Sequence, residues 1–187
     1  VFIQKSERRG TSKKLLRVGD RPRRASDVVG LLPTVSFAPD DLDLVLGAPS
    51  LRRRFLDVLL SQIDRQYLRS LARYAKILAQ RNGLLRQIAD RASGTGEDEL
   101  AYWDEQLVAL GAYLIAARAR ASVSLRAHAQ MHFRALAEDA GELQLAYVPS
   151  LPANPEWWSG VEAPALTALD VAQRVGALFE QQLRRSR

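Results

Sequence analysis

Cysteine is absent from these 187 residues, so the chain has neither a disulfide framework nor a thiolate metal site. That fits a reducing compartment, and a cytoplasmic location is expected. No uninterrupted apolar run approaches the ~20 residues that span a bilayer, so no membrane partner is expected. The opening Val1-Phe2-Ile3-Gln4-Lys5-Ser6-Glu7-Arg8-Arg9 lacks the order of a secretory signal and has no initiator Met. The chain reads as a piece excised from a longer protein. It has no Gly-x-x-x-x-Gly-Lys-Ser/Thr loop to wrap phosphates, no aliphatic run ending in paired acids to hold Mg²⁺, and no Gly-x-Ser-x-Gly elbow. No catalytic residue, metal ligand set or cofactor site of its own is therefore expected, and the chain is not read as an enzyme.

What is present is an apolar share of 47%, enough for a packed core in one domain or one domain with an attached piece. The formal net charge is +6. Residues 1–24 carry nine cations (Lys5, Arg8, Arg9, Lys13, Lys14, Arg17, Arg21, Arg23 and Arg24) against Glu7 and Asp20, which is +7 and leaves −1 for the rest. A basic patch localised in this way favours a polyanion such as DNA. The alternative is a hairpin whose cations face acids elsewhere in a longer protein.

The N-terminal piece reads as short strands. Val1–Gln4 is β-branched and aromatic, Leu15–Val18 follows, and Gly19-Asp20 makes a two-residue hairpin break before Arg21–Arg24. Ser26 or Asp27 caps a short helix that Pro33 ends, and Thr34–Phe37 reads as another strand. These strands are too few for a core of their own and suggest the edge of a larger sheet.

From Pro39 the pattern becomes helical. A short acidic helix stops at Gly47, the chain turns through Ala48-Pro49, and a second helix covers Ser50–Gln62 with Arg52, Arg53 and Arg54 near its start. Cations there oppose the helix dipole. They need Asp40, Asp41, Asp43 and Asp57 as an internal ion-pair lock, or an external anion such as DNA or nucleotide phosphate. Asp64 caps a long helix from Arg65 to about Ala92, with Leu68, Leu71, Ala75, Leu78, Asn82, Leu85 and Ala89 spaced alternately three and four apart. Ser93-Gly94-Thr95-Gly96 breaks it. The same spacing returns at Leu100, Trp103, Leu107, Leu110, Leu114, Ala117, Ala121, Ser124, His128 and Met131. Two seamed helices on a short link predict an antiparallel hairpin about 55 Å long, with close approach where the seam turns small. Gln80-Arg81-Asn82 puts polar groups into that seam, either to fix register or to meet a partner helix.

Leu143–Tyr147 alternates weakly, as a strand does. A proline-rich loop over 149–164 carries Trp157-Trp158, which either pin the loop or stack bases. A final helix covers about 165–184. His128 and His132 share a helix face without an evident third ligand, so they read as ordinary surface histidines rather than a metal pair.

The segment Pro39–Asp57 closely resembles a motif of the RecF DNA replication and repair family. The match rests on Pro39, Asp40, Leu44, Val45, Gly47, Ala48, Pro49, Arg52, Arg53, Phe55, Leu56 and Asp57. Tyr74–Leu85 and Trp103–Leu107 resemble two further stretches of that family, in the same order. The resemblance implies an ABC-type ATPase whose Walker A precedes this region and whose Walker B follows it. The implied fold is mainly α: a long, coiled-coil-like antiparallel arm with auxiliary helices, plus a few N-terminal β-strands of a neighbouring ATPase lobe. It divides the chain into residues 1–38, given to the ATPase head, and 39–187, the helical arm with its hairpin at 65–136. In the longer parent it implies ATP and Mg, a slow DNA-dependent ATPase, an ATP-dependent homodimer, DNA at gap regions, and the RecR and RecO proteins. It further implies recombinase loading and a link to the SOS response. Val35–Asp40 resembles a strand and loop that sense the γ-phosphate, placing Asp40 toward Mg-nucleotide; otherwise Asp40 caps the helix after it. DNA-contact candidates are Lys13, Lys14, Arg21, Arg23, Arg24, Arg52 and Arg53. The competing reading is a helical protein–protein interaction module with no direct DNA contact.

Overall fold

The computed structural model describes residues 2–8, 11–90, 96–137, 141–151 and 168–185. The linker residues Ser93, Gly94 and Thr95, the acids Glu138 and Asp139, and the loop over 152–164 with Trp157-Trp158 lie outside the described residues, as do the side chains of Lys13 and Lys14. The chain divides into two compact units, Val1–Leu68 and Arg69–Arg187.

In the first unit β1 (Phe2–Arg8), β2 (Thr11–Val18) and β3 (Arg21–Arg23) form an antiparallel sheet in sequence order. β1 and β2 pair from Phe2↔Arg17 to Arg8↔Thr11, a longer hairpin than the sequence suggests. The expected break before β3 is there. Gly19 takes φ +60, the left-handed conformation glycine reaches without strain, and Val18 pairs with Arg21 across it. A single-turn helix α1 (Ala25–Val28) follows.

The strand expected over Thr34–Phe37 does not form. The segment has no ladder partner; the Thr34 N–H donates to Gln62 Oε1 at 2.8 Å, and Val35 and Phe37 are 97% and 88% exposed. β-propensity expresses fit to a pleated, half-covered surface, and among the described residues no strand lies beside this segment.

A 3-10 turn (Pro39–Leu42) runs into α2 (Asp43–Leu46), and α3 (Pro49–Ile63) begins two residues beyond Gly47. Both Pro39 and Pro49 sit at the first position of their helices, where the missing N–H costs nothing. Gly30 has φ +80, and a Cβ there would come within 2.5 Å of the Gln62 carbonyl oxygen. The loop after α1 therefore lies directly on the end of α3.

The long helices are α4 (Arg65–Asp90), α5 (Glu97–Leu136) and α6 (Ala168–Arg185), and the fold is mainly α. α4 and α5 run antiparallel: Arg73 meets Gln106, Arg81 meets Asp104, and Gly96 lies against Ile88. Glu97, Asp98 and Glu99 open α5 and Arg134 sits in its last turn, so its end charges complement the helix dipole.

One core joins Ile77, Leu107 and Leu183 from all three helices, with Tyr74, Leu78, Trp103 and Phe179 around it. A second packs Ala112, Ala116 and Ala119 of α5 against Val171 and Val175 of α6, with Leu151. Burial on this scale contributes about 1.5–3 kcal/mol for each large aliphatic side chain.

The buried set of α5 differs from the single seam read in its sequence. Asp104 and Gly111 are buried beside Leu100, Leu107 and Leu114, and Ala112, Ala116 and Ala119 form a second stripe. Beyond Ser122 the expected seam comes to the surface: Ser124, His128 and Met131 are exposed. A helix with a partner on each of two sides buries two stripes, and its pattern broadens accordingly. Among the described residues α5 alone is long and apolar enough to cross a membrane by composition, and part of its apolar surface packs against α4 and α6. Leu143–Tyr147 alternates half-buried and exposed as expected but pairs with no strand; the Leu145 carbonyl instead accepts from Arg126 Nε at 2.6 Å.

Candidate functional site

The corner from Pro39 to Asp57 is built from interlocking backbone contacts. Asp41 Oδ2 accepts the Ala38 N–H at 2.7 Å, so the capping carboxylate at the entry is Asp41 and not Asp40. Asp40, at the second position of the 3-10 turn, is exposed. Gly47 closes α2 by donating its N–H to the Asp43 carbonyl at 2.8 Å. Its backbone is extended, so glycine is needed for space: a Cβ would sit 2.5 Å from the Asp43 oxygen and 2.8 Å from Leu51 Cδ1.

Arg52 secures the turn. Its Nη1 donates to the carbonyls of Gly47 at 2.9 Å, Leu44 at 3.2 Å and Val45 at 3.5 Å. These are the carbonyls left over at the C-terminal end of α2, where a cation also meets the negative end of the dipole. The contacts of Arg52 differ from the ion-pair lock read from the sequence: its acceptors are carbonyl oxygens, whereas the sequence suggested aspartates. Arg53 and Arg54 are exposed, and among the described residues neither has a hydrogen-bond or ion-pair partner. Phe55 is partly exposed on the same helix.

Asp57 points toward the next helix, and the Tyr67 hydroxyl donates to its Oδ1 at 2.5 Å. Tyr67 is fully buried. Tyr67 escaped the sequence reading, where it looked like any aromatic at a helix start. Gln62, which holds the Thr34 N–H and lies beneath Gly30, escaped it too.

The N-terminal candidates are dispersed along the sheet. Lys14 pairs with Lys5 and Lys13 with Ser6 across β1–β2, while Arg21 and Arg23 pair with Val18 and Leu16. Arg21, Arg23 and Arg24 are exposed. Arg17 folds back to the Asp20 carbonyl at 2.8 Å. His128 donates through Nδ1 to the Ser124 carbonyl at 2.9 Å and, like His132, is exposed.

In the hairpin, Arg81 Nε donates to Asp104 Oδ1 at 2.5 Å, and both residues are buried. Arg73 Nη2 donates to Gln106 Oε1 at 2.7 Å on the rim.

No protein-family profile matches the sequence. Curated proteins do. The chain is 46% identical over 178 residues to the DNA replication and repair protein RecF of Thermomicrobium roseum, covering 95% of this chain and 44% of that protein. It belongs to the RecF family. The RecF of Herpetosiphon aurantiacus is 45% identical over 144 residues (77% of this chain, 37% of the relative), and that of Chloroflexus aggregans 43% over 173 residues (91% and 44%). Among solved structures, one described as the recombination mediator protein RecF-ATPrS in the RecFOR pathway superposes with a TM-score of 0.78 at 25% identity, over 98% of this chain and 45% of that one. A RecF-ATP structure superposes at 0.74, over 93% and 42%. The chain thus spans less than half the length of its RecF relatives.

Two of the three RecF-like stretches meet in space. Arg81, within Tyr74–Leu85, is the buried partner of Asp104, within Trp103–Leu107. The third, Pro39–Asp57, supplies Arg52 and Asp57 to the corner.

Proposed function

We propose that this RecF-family chain is the helical arm, with an adjoining corner, of a DNA repair protein that binds DNA in an ATP-dependent manner. Residues 1–38 contribute to the ATP-binding head of the longer protein, and residues 39–187 form the arm. In the longer protein, nucleotide and Mg bring two heads together, with Asp40 facing the nucleotide. The corner passes that closure to α4, and the arm and basic strands then grip DNA at gaps. RecO and RecR act with it in loading recombinase, which connects the protein to the SOS response.

The observation that carries this reading is the pair of locks within the first unit. Arg52 ties α3 to the acidic turn, and Asp57 ties α3 to Tyr67 at the start of α4. A displacement at the Pro39 turn then moves α3 and the start of α4 together, because neither joint can bend without breaking a charge-assisted hydrogen bond. Asp40 stays exposed beside the cap that Asp41 makes, which leaves its carboxylate available to a metal–nucleotide.

The deciding experiment measures DNA affinity of the intact protein with and without ATP, in wild type and in Asp40→Asn. Wild type should bind DNA more tightly with ATP, and Asp40→Asn should lose that response at an unchanged melting temperature. Equal affinity with and without nucleotide in the wild type would refute the reading.

A protein contact has its own support. Val35, Phe37, Val45 and Leu46 are each at least 80% exposed. Apolar surface of this extent normally meets protein. In a protein of the relatives' length, we assign its cover to the ATP-binding head.

A further inference from the structure

The overall charge of −1 beyond residue 24 hides a strong segregation along the hairpin. From Arg69 to Ala89 and from Gln106 to Ala137 there is no Asp or Glu, while Arg69, Arg73, Lys76, Arg81, Arg86, Arg118, Arg120, Arg126 and Arg134 are all cationic. The acids Asp90, Glu97, Asp98, Glu99, Asp104 and Glu105 gather at the tip. Arg81 is buried against Asp104, but Arg69, Arg73, Lys76 and Arg120 are exposed.

These four share a flank. At about 100° per residue, Arg69, Arg73 and Lys76 fall on one side of α4. The Arg73–Gln106 hydrogen bond identifies the side of α5 that this row borders. On α5, Tyr113 and Arg120 lie on the Gln106 side, whereas Val108 and Ala112, which touch Gly176 of α6, turn away from it. α6 therefore covers the other flank. Among the described residues Arg69, Lys76 and Arg120 have no hydrogen-bond or ion-pair partner. Arg73 uses one terminal nitrogen on Gln106, which holds its guanidinium at the rim.

We propose that this flank is a docking surface for the phosphate backbone of DNA, distinct from the basic strands at the N-terminus. The proposal rests on the DNA-binding reading above and gives it a place on the arm. Cations on a rigid helix at steps of about 5–6 Å suit a ligand whose own charges repeat along a line. The flank offers guanidinium, ammonium and amide groups, which suit phosphate oxygens better than an apolar anchor. The acidic tip repels phosphate and confines the contact to the other end of the hairpin.

The test measures affinity of the intact protein for a mixed-sequence duplex across a salt series. The variant R69E/R73E/K76E/R120E should bind more weakly and show a log–log salt slope shallower by roughly 2–4, at about 0.9 per lost phosphate contact. The charge-keeping variant R69K/R73K/R120K should retain the wild-type slope, and circular dichroism should show both variants folded. A reversed variant with the wild-type slope overturns the flank. Loss of poly-glutamate binding in the reversed variant, with its duplex affinity unchanged, replaces DNA with an acidic polypeptide at the flank and overturns it as well. Absence of DNA binding by the wild type at low salt instead overturns the functional reading beneath it.

Discussion

Arg81 and Asp104 form an ion pair inside the hairpin, Nε to Oδ1 at 2.5 Å, with Arg81 Nη2 buried and without a hydrogen-bond partner among the described residues. A half-satisfied buried pair of this kind stabilises little in absolute terms but is costly to break from one side. Asp104→Ala should destabilise the protein by about 3–5 kcal/mol, because the guanidinium is left buried and uncompensated. The double replacement R81M/D104L should come close to wild type. Urea denaturation checks both, and a single variant within 1 kcal/mol of wild type, roughly the surface-pair range, would contradict the assignment.

Tyr74 packs beside the same core, and burial raises its phenol above the ordinary 10.0, with Arg118 and then Arg81 pulling the other way. A folded-state value above the unfolded one gives stability that is whole below pH 10.0 and declines as pH rises through the folded value. Melting temperatures between pH 8 and pH 11 should therefore fall less steeply in Tyr74→Phe than in wild type.

The Arg52 clamp predicts a sharp difference between neighbouring arginines. Arg52→Ala removes donors from three carbonyls at the end of α2 and should cost about 1–2 kcal/mol, whereas Arg53→Ala should change stability by less than about 0.5 kcal/mol. Asp43→Asn should also be near neutral, since Arg52 holds backbone oxygens. Chemical denaturation of the three variants separates a carbonyl clamp from an ion-pair cluster.

Two helix glycines should respond in opposite directions to alanine. A Cβ on Gly111 would lie 2.1 Å from Phe179 Cε1, so Gly111→Ala should destabilise by about 1–3 kcal/mol through overpacking, despite the better helix former. Phe179→Leu should recover part of that loss. Gly83 has nothing within 4 Å of its would-be Cβ, and Gly83→Ala should gain about 0.5–1 kcal/mol. Thermal melts of the set are sufficient.

Charge reversal at Lys13, Lys14, Arg21, Arg23 and Arg24 should weaken DNA binding by the intact protein and flatten its salt dependence. Unchanged affinity and slope would remove the basic strands from the DNA contact.

The hairpin was legible because alternating three- and four-residue spacing on either side of a Gly-rich break admits few other folds, and the Gly19 turn because a two-residue break needs a left-handed glycine. The stripe on α5 was less legible. Alanines at 112, 116 and 119 look no different in sequence from those at 117 and 121, and only the presence of α6 decides which are buried. Thr34–Phe37 misled for a similar reason: strand-like composition specifies a surface to be covered, and among the described residues Val35 and Phe37 stay exposed. Within the corner, the arginines announced a lock, but carbonyl acceptors leave no side-chain signature. Asp57 stood out by its motif, yet its partner Tyr67 carried no mark of its own.

The joint core of Ile77, Leu107 and Leu183 brings together positions more than a hundred residues apart in the chain. Contacts so distant in sequence close late, since the intervening loop entropy is met before they form. On a ribosome adding about 5–20 residues per second, α4 and α5 emerge several seconds before the helix that completes their packing. Until Leu183 arrives, the nascent hairpin keeps an uncovered oily side. That interval is when a chaperone would find it.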